Sequence, residues 1–266
     1  MKRLVCTLIT IPIFLFLKSY TLTLTYTNQG FFCNDIEVRY PNKPDTVPSD
    51  TMQTIYFTIT VITIVLCELS LVKSIRNLGS NFHQFAVNVF LFIGIYICAC
   101  LANMVCLNIF KTTASRLRPN FIDVCKPAHL DELCPLGSSA YIEDFTCKGE
   151  QAPYLHFSFP SGHSSHSIFF AVFIIAIIHL RSKLPTLIKV YAQLAVFVLA
   201  VYVCLTRVRD NKHRYVDVFG GGMLGFTLGM SLMELTLKHL RPPTYNKKEE
   251  KYPPIFIETS GYKSIP

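Results

Sequence analysis

Charge is scarce in this sequence. Asp, Glu, Lys and Arg make up 16% of its 266 residues, where a soluble domain carries about a quarter. That deficit excludes an ordinary soluble domain. With 51% hydrophobic residues and a mean hydropathy of +0.38, it predicts an all-α, polytopic membrane protein. The chain also lacks any CxxC pair and any zinc-finger spacing, and its ten cysteines are scattered through apolar and polar stretches alike, so it is not a disulfide scaffold. No Asn-x-Ser/Thr sequon occurs, which removes N-glycosylation as a marker of sidedness. The net charge of +8 would suit nucleic acid, but the basic residues flank apolar runs. Anionic membrane lipid is therefore the expected partner, not nucleic acid.

What is present reads as six spans, about 4–26, 55–72, 85–110, 163–180, 187–205 and 216–237. Met1-Lys-Arg before the first run also resembles a signal peptide, but no small-x-small cleavage site follows. Lys18 interrupts that run and is expected to face the bundle or snorkel. Glu68, near the end of the second span, is expected to reach the interface. Gly221, Gly225 and Gly229 recur every fourth residue in the sixth span, a small-residue ridge for close helix packing. Residues 1–240 form the membrane domain, and 241–266 a cytoplasmic, largely disordered tail.

Six spans place 73–84, 181–189 and the tail inside, and 27–52, 111–160 and 206–215 outside. Cys33, Cys125, Cys134 and Cys147 then share the outer side, where disulfides are permitted, with their pairing open. The same assignment puts Lys111, Arg116, Arg118, Arg207, Arg209, Lys212 and Arg214 outside, against the positive-inside rule. A phosphate-binding site is a good reason for such misplaced cations.

Three outer stretches carry candidate chemistry. In Lys111 to Arg118-Pro119, two cations seven residues apart lie about two helical turns apart on one face and could clamp phosphate oxygens. In isolation, simple interfacial anchoring explains them better. In Phe159-Pro-Ser-Gly-His163, Pro160 suits a first helical turn and Ser161 a cap. Gly162 lets an anion approach the backbone at the helix start, and His163 beside it suits protonation of a leaving oxygen. In Thr206 to Asp217, His213 and Asp217 stand four residues apart, on one face if the segment is helical. A carboxylate there would fix the imidazole tautomer and make His213 a nucleophile, with Arg207 holding the anion.

Taken together, Lys111 with Arg118-Pro119, Pro160 to His163, and Thr206-Arg207 with His213 and Asp217 resemble the signature of the type 2 phosphatidic acid phosphatase superfamily, which also contains vanadium haloperoxidases and glucose-6-phosphatase. Gly30-Phe-Phe-Cys-Asn-Asp35, Tyr40-Pro41 and Asp45-Thr46 are similar to the first outer loop of its lipid phosphate phosphatases. The resemblance implies a phosphatase of lipid phosphate monoesters: phosphatidic acid, lysophosphatidic acid, sphingosine 1-phosphate and ceramide 1-phosphate. It implies His213 as nucleophile forming a phosphohistidine, Asp217 as its orienting group and His163 as general acid and base. Lys111, Arg118, Ser161, Gly162 and Arg207 would bind the phosphoryl group, with no metal and no cofactor. Members are often dimers or higher oligomers, so a homo-oligomer is open. The site would face the extracellular side of a plasma membrane or the lumen of an internal one. Departures are Thr206 for Ser, Tyr215 where Trp is frequent (the chain has no Trp), and His166, which could tune the pocket but is expected rather to face lipid headgroups. A metal hydrolase using His163, His166, His213 and Asp217 is disfavoured by the surrounding cations, and a catalytically silent lipid-phosphate-binding protein by the presence of both histidines.

Overall fold

The structure, a computed structural model, describes residues 2–71, 78–150 and 152–240. The tail 241–266 and the basic turn at 73–76 lie outside the described residues. The architecture is all-α and suited to a polytopic membrane protein. Six long helices form the bundle: α1 (Lys2–Thr21), α2 (Ser49–Leu71), α3 (Leu78–Ala114), α6 (Gly162–Arg181), α7 (Thr186–Arg209) and α8 (Tyr215–Leu240). Two short helices, α4 (Phe121–Cys125) and α5 (Leu130–Leu133), belong to the long segment between α3 and α6.

Among the described residues, five helices are long and apolar enough to cross a membrane, where the sequence predicted six. The first is not among the five: its side chains are described only over Thr7–Thr21. Helix α1 stops at Thr21 rather than running to Tyr26. Beyond it, leucine alternates with β-branched threonine, a period of two that suits extended chain better than helix. The Thr21 and Thr23 hydroxyls donate to the carbonyls of Lys18 and Tyr20 (2.8 and 2.7 Å), which also accept from the Leu22 and Thr23 amides as the helix ends. The apolar described part, Thr7–Thr21, is shorter than the five spans.

Helix α6 is the centre. More than half of its apolar stretch is buried (56%), against 17–28% for the other four spans, so it is the helix that the rest surround. Tyr56 of α2 stacks on Phe170 at 4.1 Å between ring centroids, and its hydroxyl bonds Ser167 Oγ at 2.8 Å. Tyr96 of α3 lies against Phe169 and Phe173. On the α8 side the predicted glycine ridge is the contact itself. A methyl group at Gly221 or Gly225 would overlap the carbonyl oxygen of Ser161 or Ser165, so the two backbones touch.

A second apolar cluster caps the site end of the bundle: Phe31, Val38, Leu117, Phe121, Cys125 and Leu155. It is tied by antiparallel pairing of β1 (Phe31–Phe32) with β2 (Tyr141–Ile142). Disulfides Cys33–Cys134 and Cys125–Cys147 close it, so the four cysteines expected on one side pair with one another. At the opposite end Glu68 departs from expectation. It is buried rather than interfacial, because Arg181 Nε donates to it at 2.7 Å and Asn88 Nδ2 at 2.9 Å.

Candidate active site

Helix ends from across the bundle converge under the cap. Helices α3 and α7 finish there, α6 and α8 begin there, and the segment before α2 crosses above them. A cavity of about 340 Å³ opens among them, and Lys111, Arg118, Gly162, His163 and His213 line it. Of the eight residues singled out in the sequence, these five face the cavity. Ser161, Arg207 and Asp217 stand behind its wall.

The two cations meet differently from the sequence expectation. They do not share a helical face two turns apart, because α3 ends at Ala114 and Ser115 turns the chain with φ of 44°. Arg118 is returned to the cavity by its amide, which donates to the Leu155 carbonyl at 2.9 Å. Lys111 reaches in from the last turn of α3, so close to Gly162 that a Cβ there would stand 3.3 Å from its Nζ. Among the described residues no carboxylate forms an ion pair with Lys111 or Arg118. Arg118 Nε is buried without a partner. Such a donor costs about 1–3 kcal/mol until an acceptor arrives. Burial pulls the Arg118 guanidinium down to about 10, which leaves it charged at neutral pH.

His213 and Asp217 also meet by another route. Helix α7 runs to Arg209, Asn211 reverses the chain with φ of 56°, and α8 begins only at Tyr215. His213 therefore sits in the turn, and the expected one-turn helical spacing does not apply. Its Nδ1 lies 2.7 Å from the Ser158 carbonyl, an acceptor only, so Nδ1 carries the proton and Nε2 the lone pair. Asp217 instead accepts from Ser158 Oγ (2.6 Å), the Arg214 amide (2.9 Å) and Arg116 Nη1 (3.0 Å). The carboxylate thus starts α8 and fixes Ser158, and Ser158 fixes His213. Burial, then the Arg118 and Lys111 charges, hold the His213 imidazole well below the usual histidine range.

Ser161 is the α6 cap that the sequence suggested, accepting from the Ser164 amide at 3.4 Å and hydroxyl at 3.0 Å. Its own amide donates to the Asp217 carbonyl at 2.9 Å, which locks the start of α6 to the start of α8. His163, in the first turn of α6, places Nε2 at 3.1 Å from the Val47 carbonyl and 3.5 Å from Arg207 Nη1. Arg207 is 1% exposed and doubly paired, with Asp45 at 2.9 Å and Asp210 at 2.8 Å. The Thr46 amide and hydroxyl each donate to Asp210 at 2.7 Å. Burial would raise the Asp210 carboxyl, but those bonds and the Arg207 charge outweigh it and hold it low.

Sequence reasoning did not single out Arg116, Ser158 or Asp210. Arg116 and Ser158 meet Asp217 through backbone reversals that no helical spacing encodes, whereas Asp210 pairs with Arg207 three residues before it. Arg116 and Asp210 were legible only as charges beside the motifs. His166 also departs from expectation: rather than facing headgroups, it lines the cavity and lies 3.3 Å from Asn103 Nδ2. Among the described residues no group of three or more His, Cys, Asp or Glu side chains is arranged to hold a metal ion.

Comparison with known proteins agrees with this geometry. The model of the PAP2 superfamily matches residues 92–241, which include all three motif stretches. Phospholipid phosphatase 2 of Bos taurus is 31% identical over 242 residues, covering 85% of this chain and 82% of the bovine protein. The protein of the same name from Homo sapiens is 30% identical, over 87% of this chain and 82% of its own length. Phospholipid phosphatase 1 of Mus musculus is 30% identical, over 84% and 80%. No solved structure matches. With a family match over more than half its length, its motifs gathered at one cavity and relatives aligned over most of theirs, the chain belongs to the PAP2 superfamily.

Proposed function

We propose that this protein is an integral-membrane phosphatase that hydrolyses lipid phosphate monoesters, converting phosphatidic acid to diacylglycerol. Lysophosphatidic acid, ceramide 1-phosphate and sphingosine 1-phosphate are substrates of the same class. The observation that carries the reading is the His213 tautomer. A carbonyl holds the proton on Nδ1 and leaves the Nε2 lone pair beside two cations with which, among the described residues, no carboxylate forms an ion pair.

Lys111 and Arg118 draw the phosphoryl oxygens into the cavity, and Arg207 joins by exchanging the half-exposed Asp45 for phosphate while keeping Asp210. His213 Nε2 attacks phosphorus as the ester P–O bond breaks, and His163 delivers a proton to the departing alkoxide. His163 then takes a proton from water, whose oxygen displaces His213 and releases inorganic phosphate. Charge developing on the equatorial oxygens meets fixed cations, the main source of stabilisation in phosphoryl transfer. A second, largely apolar cavity of about 400 Å³ adjoins the first and shares Gln53, Met104 and His166 with it, which supports a substrate with an acyl chain.

The paired disulfides and the excess of cations at the site end support an active site on the oxidising face, extracellular for a plasma-membrane enzyme. Phosphate release from phosphatidic acid in mixed micelles containing EDTA tests the reading. Wild type should release phosphate, and His213→Ala should lose at least about a thousandfold in kcat. No release from any lipid monoester by folded wild type would leave only lipid-phosphate binding.

A further inference from the structure

Lys111, Arg118, Gly162, His163 and His213 share the lining of the cavity with Lys18 of α1, Ser49 and Gln53 of α2, and Asn108 of α3. The position of Lys18 follows from one bond. Asn108 Nδ2 donates to Thr21 Oγ1 at 3.1 Å, joining the end of α1 to α3. Lys18 precedes Thr21 by three residues and Lys111 follows Asn108 by three, so each lysine shares a helical face with a member of that bond. Among the described residues no carboxylate forms an ion pair with Lys18. Of the two expectations for this lysine, facing the bundle or snorkelling, the first fits: it lines the cavity that also holds Lys111, Arg118 and His213.

We propose that Lys18 is a specificity-determining residue that reads the part of the lipid next to the phosphoester, favouring uncharged ester- or amide-bearing backbones and disfavouring an ammonium there. The inference rests on the lipid phosphatase reading above. Ester and amide carbonyls accept hydrogen bonds from a lysine ammonium. Sphingosine 1-phosphate instead carries its own ammonium one carbon from the carbon bearing the phosphoester oxygen. Two unit charges about 5 Å apart at an effective dielectric of about 20 repel strongly enough to lower affinity more than a hundredfold, and water in an open cavity reduces this to about tenfold.

The test uses substrates that differ in that one group: sphingosine 1-phosphate and its N-acetyl derivative, each in mixed micelles with full-length protein. Wild type should show a kcat/KM at least about tenfold higher for the N-acetyl compound. Lys18→Met should bring the ratio within about twofold of unity, by improving KM for the ammonium substrate, and Lys18→Arg should preserve the wild-type ratio. A wild-type ratio near one overturns the inference without any variant. So does an unchanged ratio in Lys18→Met while both compounds are hydrolysed. Hydrolysis of neither compound, nor of phosphatidic acid, by folded wild type overturns the phosphatase reading itself, a result distinct from an unchanged ratio.

Discussion

At the scale of single residues, the proposed mechanism depends on fixing a proton rather than on raising a base. His213 is 3% exposed and gives its Nδ1 proton to a carbonyl that cannot move, because Ser158 is tied to Asp217. Burial and the neighbouring Arg118 and Lys111 charges favour the neutral imidazole. The folded pKa therefore lies below the ordinary value of about 6.5. Between the two, the unfolded chain binds more protons than the folded one. The resulting stability is present in full above about 6.5 and is lost as pH falls toward the folded value. The neutral form, proposed as the nucleophile, follows the same direction. The acid limb of the kcat/KM profile should lie below about 6.5, and a limb at or above it would contradict the buried, cation-flanked imidazole. Arg118, held at about 10, keeps its charge throughout that range.

At the scale of elements, α6 and α8 are one unit. The amide of Ser161 bonds the carbonyl of Asp217, and the Gly221 and Gly225 backbones lie on those of Ser161 and Ser165. Gly225→Leu should cost about 1–3 kcal/mol by overpacking and lower activity with it, read by thermal unfolding in detergent. Gly222→Ala is the control, because its Cβ would meet only Ile168 Cγ1 at 3.6 Å, and stability should hold or rise. Much of this was legible in the sequence. The four-residue glycine period predicted the ridge, and the hydrophobic runs placed the cores of α2, α3, α6, α7 and α8. The places that were not legible are all reversals. Ser115 and Asn211 adopt left-handed backbone without being glycine, so helical spacing carried past them put Arg118 on α3 and His213 on α8. Side chains brought together by such turns, Arg116 with Asp217 and Thr46 with Asp210, have no periodic signature.

At the scale of the whole molecule, chemistry and scaffold occupy opposite ends. The disulfide-closed cap and the cavity share one end, while the buried Glu68–Arg181 pair, with Asn88 and the Phe92 ring beside it, lies at the other. Glu68→Ala would remove the buried carboxylate that pairs with Arg181 and should cost about 3–5 kcal/mol. Because no residue of that pair lines the cavity, the kcat of the folded fraction should stay within about twofold of wild type. Loss of kcat at unchanged stability would couple the two ends and contradict the separation. The central claim, that phosphate passes through His213, is tested most directly by quenching turnover of phosphatidic acid radiolabelled in its phosphate and isolating the protein. The account predicts label bound to the chain, stable to alkali and lost in acid as a phosphorus–nitrogen bond should be, and absent from His213→Ala. Turnover by wild type with no trapped label under rapid quench, or label that persists in His213→Ala, would contradict it.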